Sequence, residues 1–133
     1  MQVLQDVYAF EGDNIWTAAS AFGGGIGRTQ SVCGAMAGGA MALGLAAAQG
    51  IEDPRAEPKK VADLVRPKAR ALAEGFQEKF GSVNCGDLLP YDFKLAGEYD
   101  KFRASGMKEY TCRVFMRYVV EKLAREREEA SGG

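Results

Sequence analysis

Residues 23–41 read GGGIGRTQSVCGAMAGGAM: a glycine run, one arginine, then a cysteine heading a stretch of almost nothing but Gly, Ala and Met. Glycine supplies backbone dihedrals that other residues avoid and weakens helix, so residues 23–27 predict a loop. Ser31 is a residue of the type that caps helices, and the helix it would open continues through CGAMAGGAMALGLAAAQ and stops at Gly50, with Pro54 just beyond. The stretch from Val32 to Ala48 carries no charge, but its 17 residues fall short of a bilayer span. Spanning takes about 20 strongly apolar residues, and Ala and Gly are only weakly apolar. The reading is therefore a buried core helix and no membrane. Gly34 and Gly38, and Ala35 and Gly39, lie four apart, giving a strip with almost no side chain on which a neighbouring backbone can approach closely.

Outward from this helix the pattern stays helical. Val3, Leu4, Val7, Tyr8 and Phe10 fall mostly at helical spacing, and Asp13 or Asn14 can cap a second short segment, IWTAASAF. GIEDPRAEP is a polar linker leading to a helix entry at Glu57 and Pro58. Val61, Leu64, Val65, Leu72, Phe76 and Phe80 then recur every three or four residues in one helix that Pro67 kinks. After Gly81 the segment SVNCGDLLPYDF turns irregular. From Met107 onward Cys112, Phe115, Met116, Val119 and Leu123 share one face, REREE closes the helix with charge, and the SGG tail is expected to be loose. No alternating strand pattern and no internal repeat is present. The predicted class is all-α: residues 1–133 as a single compact bundle of about five helices, a Gly-rich loop preceding a central Gly/Ala helix.

Composition limits the chemistry. At 133 residues the chain suits one domain that buries roughly two thirds of its unfolded surface. Seventeen basic and 18 acidic residues leave a formal net charge of -1, so no global positive field attracts nucleic acid. The N-terminal segment MQVLQDVYAF lacks the features of a secretory signal, which points to the cytoplasm. There is no histidine, which excludes imidazole-based hydrolases and histidine-ligated zinc or haem from this chain's own residues. The three cysteines, Cys33, Cys85 and Cys112, are separated by 51 and 26 residues and form no C-x-x-C pair. An odd count in a cytoplasmic chain does not describe a structural disulfide scaffold.

The opening stretch admits two chemistries. GGGIGR is not a Walker loop, since no lysine and Ser or Thr follow its last glycine, and no preceding strand makes it a dinucleotide fingerprint. A weaker anion site remains open, in which the amides of Gly24, Gly25 and Gly27 and the charge of Arg28 receive a ligand; the alternative is a plain corner between helices. Read as a thiol site, Cys33 lies in the first helical turn behind Ser31, where free amides and the helix dipole favour thiolate. The alternative is that Cys33 and Cys112 are small buried hydrophobes. Asp87, Tyr91 and Asp92 surround Cys85, either to orient a ligand or as the polar residues of a turn.

The order FGGGIGR, CGAMAGGAMALGL, NCGDLL and TCRVFMRYVVEKL resembles the redox-active protein family named for its C, GCAxxG, C, C pattern, over nearly the whole chain. The resemblance implies a small helical domain with four cysteines serving thiol redox, cluster or electron-transfer chemistry. It also implies kinship to the cysteine domain of split-Soret cytochromes, where such cysteines hold an iron-sulfur cluster. On that resemblance Cys33 stands at the motif cysteine, Cys85 at the third and Cys112 at the fourth. The first family cysteine, ahead of a segment similar to QVLQDVY, has no counterpart here. The motif reads Cys33, Gly34, Ala35, Met36, Ala37, Gly38, with cysteine and glycine exchanged, which would turn the sulfur about 100 degrees around a helix.

Three functions are therefore weighed. The first is thiol redox or electron transfer through Cys33, with Cys85 or Cys112 as resolving partner and an unidentified redox protein as the other party. Closing the 51-residue loop between Cys33 and Cys85 would constrain the unfolded chain by roughly 4 kcal/mol. The second is an iron-sulfur or other metal site on the three thiolates, one ligand short of the usual four. The third is an assembly module whose glycine strip joins two copies in a homodimer.

Overall fold

The computed structural model describes residues 1–12 and 14–132. Helix α1 (Gln2–Tyr8) and the single turn α2 (Ile15–Ala18) with its 3-10 continuation (Ala19–Phe22) lead into the glycine loop. The central helix α3 (Gly34–Gln49) and the long α4 (Pro58–Phe80) follow, then the four-residue α5 (Cys85–Leu88) and α6 (Glu98–Ala104). A π-helical turn (Lys108–Cys112) runs directly into α7 (Arg113–Gly132). Five helices have seven residues or more, and no strand occurs among the described residues, so the all-helical bundle is observed.

Helix α3 sits at the centre, against α1, α4 and α7. Its glycines make this possible. A Cβ on Gly39 would lie 2.6 Å from Val119 Cγ1 and 2.9 Å from Leu72 Cδ2, so α4 and α7 close onto bare backbone there. Gly38 faces the backbone of Met1, and a Cβ on Gly34 would stand 3.0 Å from the Phe22 carbonyl oxygen. The core around this crossing holds Leu4, Tyr8, Met36, Ala42, Leu43, Leu72, Phe76, Phe115, Val119 and Leu123. Phe76, Phe80, Phe115 and Tyr118 stack as a tilted aromatic cluster between α4 and α7, with ring centroids 4.7 to 5.8 Å apart. The Tyr8 hydroxyl donates to the Leu123 carbonyl at 3.1 Å and fixes α1 to α7.

Several local expectations change. The cap of α3 is Cys33 rather than Ser31, because the chain stays extended through Val32 before it turns helical. Asp13 lies outside the described residues, and Asn14 precedes α2 without a side-chain capping bond. Helix α4 does continue through Pro67 as one helix, as expected, with the missing N–H leaving the Asp63 carbonyl without its helical donor. Leu64 and Met116 fit the apolar spacing yet are exposed, while Leu72, Phe76, Phe115, Val119 and Leu123 are buried. The segment SVNCGDLLPYDF is less irregular than expected, since Cys85–Leu88 form the helical turn α5, and Gly97 in left-handed geometry opens a further helix, α6. Helix α7 also continues through Ser131 and Gly132, beyond the expected end at REREE.

Candidate functional site

The glycine loop is an unusual piece of backbone. Gly24, Gly25, Ile26, Gly27 and Arg28 all have φ between 57° and 71°, five successive residues in the left-handed region, and Gln30 joins them at 58°. Left-handed geometry costs about 1–2 kcal/mol for each residue with a Cβ, so Ile26, Arg28 and Gln30 are held there against their preference. What holds them is a set of long-reach bonds: Gly27 N–H to Ala21 O at 2.8 Å, Gln30 N–H to Gly24 O at 2.9 Å and Ser31 N–H to Gly25 O at 2.9 Å. The Thr29 hydroxyl adds a bond to Gly25 O at 2.8 Å. A Cβ on Gly25 would meet the backbone of Ser31 at 2.6 Å, so only glycine fits at the buried centre of the loop.

The tight loop delivers residues 31–33 in extended form to the segment that follows α4. Val32 and Asn84 form an isolated antiparallel bridge, flanked by Cys33 N–H to Val83 O at 2.7 Å and Cys85 N–H to Ser31 O at 2.8 Å. Two cysteines 51 residues apart are thereby fixed beside one another, each where a helix begins: Cys33 caps α3 and Cys85 opens α5. Opposite Cys33 in this pairing stands Val83, so Cys85 is its diagonal neighbour, a relation that spaces α-carbons about 7–8 Å apart in antiparallel pairs. A disulfide accepts about 4.4–6.8 Å, so bonding the two sulfurs requires a small backbone movement. All three thiols are free. Cys112 approaches from the other side, at the end of the π-helical turn that precedes α7, and joins Cys85, Leu89 and Phe102 in a second apolar cluster. Extra-residue turns of this kind often mark functional sites in helices.

Gln30, which sequence reading passed over, locks the arrangement. Its side chain donates to Tyr91 O at 2.7 Å and accepts from Phe93 N–H at 2.9 Å, while its carbonyl accepts from Gly86 N–H at 3.0 Å. The loop carrying Phe93 is thus tied to the loop carrying Cys33. Asp87 and Asp92 prove to be turn residues: Asp87 accepts from the Ser82 hydroxyl, and Asp92 from the Lys94 amide. Tyr91 packs edge-on against Phe102.

Between these segments lies a cleft of about 670 Å³. Cys33, Cys85 and Cys112 all line it, as do the glycine loop, Arg28, Lys108 and an aromatic wall of Phe93, Tyr99 and Phe102. The Arg28 guanidinium lies over the Tyr99 ring, 3.8 Å from its centroid, so the weakly indicated anion residues and the cysteines belong to one site.

Burial governs the thiols. Desolvation raises Cys33 above the ordinary thiol value of 9.0, although the amides of Ala35 and Met36 at the start of α3 favour its thiolate. Cys85, the most enclosed of the three, is pushed up to about 11 by burial and by the neighbouring Cys33 and Cys112, with Gln30 opposing. Cys112 is raised by burial and by Cys33, while Lys108 pulls it down. The acidic Cys33 expected from a helix start is therefore not found: the dipole is present, but the enclosed sulfur loses more hydration than the amides return.

Among the described residues no three Cys, Asp or Glu side chains converge closely enough to hold a metal ion. The three sulfurs therefore sense one another electrostatically without forming a ready ligand set. Among the described residues no helix is long and apolar enough to cross a membrane.

No curated protein and no solved structure matches the chain. The model of the family described as "Putative redox-active protein (C_GCAxxG_C_C)" matches residues 1–126, a span that contains the whole cleft and all three of its cysteines. With that match the resemblance seen in the order of the glycine loop and the cysteine segments is established, and the chain belongs to this family.

Proposed function

We propose that the protein is a thiol–disulfide redox protein whose centre is the cleft shared by Cys33, Cys85 and Cys112. One observation carries this reading: three cysteines from distant parts of the chain line a single cavity, together with glycines, an aromatic wall, Arg28 and Lys108. Cys33 and Cys112 are partly exposed and Cys85 is buried, which gives an accessible thiol and an enclosed one. In the oxidising direction Cys33 loses its proton and attacks a disulfide of the partner, whose departing sulfur takes up a proton. Cys85 or Cys112 then loses its proton and attacks the Cys33 sulfur. The net change converts two protein thiols to one disulfide and one external disulfide to two thiols. The diagonal spacing of Cys33 and Cys85 makes the second step depend on a movement of the bridged loops. A partner dithiol protein would return the disulfide to thiols by the reverse exchange. An iron-sulfur cluster usually takes four cysteine ligands and this chain supplies three, so thiol chemistry is favoured.

The test is thiol counting with peptide mapping after exposure to a small disulfide. One intramolecular disulfide and one remaining thiol per chain are expected, with an oxidation rate that keeps rising with pH through 9 because all three thiols are raised. Three free thiols after prolonged exposure would remove the proposal.

A further inference from the structure

The charge lining the cleft is one-sided. Arg28 and Lys108 stand at its walls, and no aspartate or glutamate does. Neither cation is in an ion pair among the described residues. The acid nearest in sequence to Lys108, Glu109, is taken by Arg113 at 2.8 Å. The Arg28 guanidinium lies over the Tyr99 ring, 3.8 Å from its centroid, and its N–H groups are of the kind that pair with a carboxylate. Beside it the backbone amides of Gly24, Gly25 and Gly34 donate to no acceptor among the described residues, although Gly25 is buried. Phe93, Tyr99 and Phe102 line the same cleft and give apolar surface for the body of a ligand. Thiols, unpaired cations, free amides and aromatic surface lining one cleft describe a specific class of reactant.

Resting on the thiol–disulfide reading, we infer that the cleft takes a small anionic disulfide, one whose sulfurs carry short carboxylate-bearing arms, with Arg28 and Lys108 receiving the carboxylates. The disulfide, R–S–S–R, enters with a carboxylate toward Arg28 and the glycine amides. The Cys33 thiolate attacks one sulfur, the S–S bond breaks, and R–S⁻ leaves and is protonated. Attack by Cys85 or Cys112 on the Cys33 sulfur then releases the second R–SH and closes the protein disulfide. Atoms and electrons balance without a further reagent: the bound disulfide is the oxidant and the two protein thiols are the reductant.

The experiment compares three disulfides of similar length at about pH 8.5, where thiolate is accessible: 3,3′-dithiodipropionate, bis(2-hydroxyethyl) disulfide and cystamine, which are anionic, neutral and cationic. Each rate with the intact protein is divided by its rate with N-acetylcysteine amide, a thiol without a carboxylate, which removes differences in leaving group. The anionic compound should be favoured over the neutral one by about tenfold or more, and the cationic one disfavoured, with the preference falling as salt is added. In Arg28→Met and Lys108→Met the anionic-to-neutral ratio should drop toward one. A ratio near one in the unaltered protein overturns the inference whether or not the variants fold, and so does a preference that survives both substitutions. If all three disulfides form the protein disulfide equally well, only the substrate class fails; if none does, the thiol–disulfide reading fails with it.

Discussion

Two glycines on one helix should answer the same substitution with opposite signs. Gly39 and Gly44 both lie inside α3, and replacing either by alanine gains about 0.5–1 kcal/mol of helix preference. At Gly44 a new methyl meets nothing within 4 Å, so that gain should appear undiminished as stabilisation. At Gly39 the methyl would stand 2.6 Å from Val119 Cγ1 and 2.9 Å from Leu72 Cδ2, against the roughly 3.5–4.0 Å at which carbons rest. Both neighbours are 1% exposed, and Val119 is branched at Cβ, so neither can simply turn away. Overpacking of this kind costs about 1–3 kcal/mol. Gly39→Ala should therefore be less stable than Gly44→Ala by about that amount, or roughly 3–12 °C in melting temperature for a chain of this size. Urea unfolding followed by circular dichroism measures the difference directly. Coupling gives a second check: Val119→Ala should cost less in the Gly39→Ala background than alone, because it removes the clashing atom. If Gly39→Ala stabilises as much as Gly44→Ala, the close approach of α4 and α7 to the central helix is wrong, and with it the reason for the glycine strip.

Stability should fall in alkali through Cys85: its folded value of about 11 lies above the ordinary 9.0, so the folded state keeps the proton longer. The contribution is complete below pH 9 and is lost as pH rises through 11, up to about 3 kcal/mol, and Cys85→Ala should flatten that decline in unfolding free energy measured against pH. In the glycine loop, Gly25→Ala should destabilise by at least about 2 kcal/mol, since φ is 71° and the methyl meets Ser31 backbone. Ile26→Gly, at a position 45% exposed with φ 61°, should instead stabilise by up to about 1 kcal/mol; equal effects of the two in thermal unfolding would refute the left-handed turn. Gln30→Ala removes two bonds to the loop at Tyr91 and Phe93 and should cost about 2 kcal/mol, with faster hydrogen exchange at the Phe93 amide as the specific sign. Unchanged exchange there would show that Gln30 does not hold the aromatic wall.

Local chemistry made the helices readable. The spacing of Leu72, Phe76, Phe115, Val119 and Leu123 marks buried faces because helical periodicity alone decides which side chains share a side. Gly24, Gly25 and Gly27 mark the loop ahead of α3 because left-handed backbone costs least at glycine. The chain's lack of histidine likewise restricted its chemistry to thiols, amines and carboxylates before any folding was considered. Tertiary structure decided the rest. That Cys33 rather than Ser31 caps α3 follows from the Val32 to Asn84 bridge, a pairing between residues with no sequence pattern to announce it. That Gln30 and Lys108 belong with the cysteines depends on which segments the closed bundle brings together. The sign of the Cys33 shift could not be read locally either: a helix start predicts acidity, whereas hydration lost on burial opposes it, and that loss exists only once the chain has closed around the sulfur.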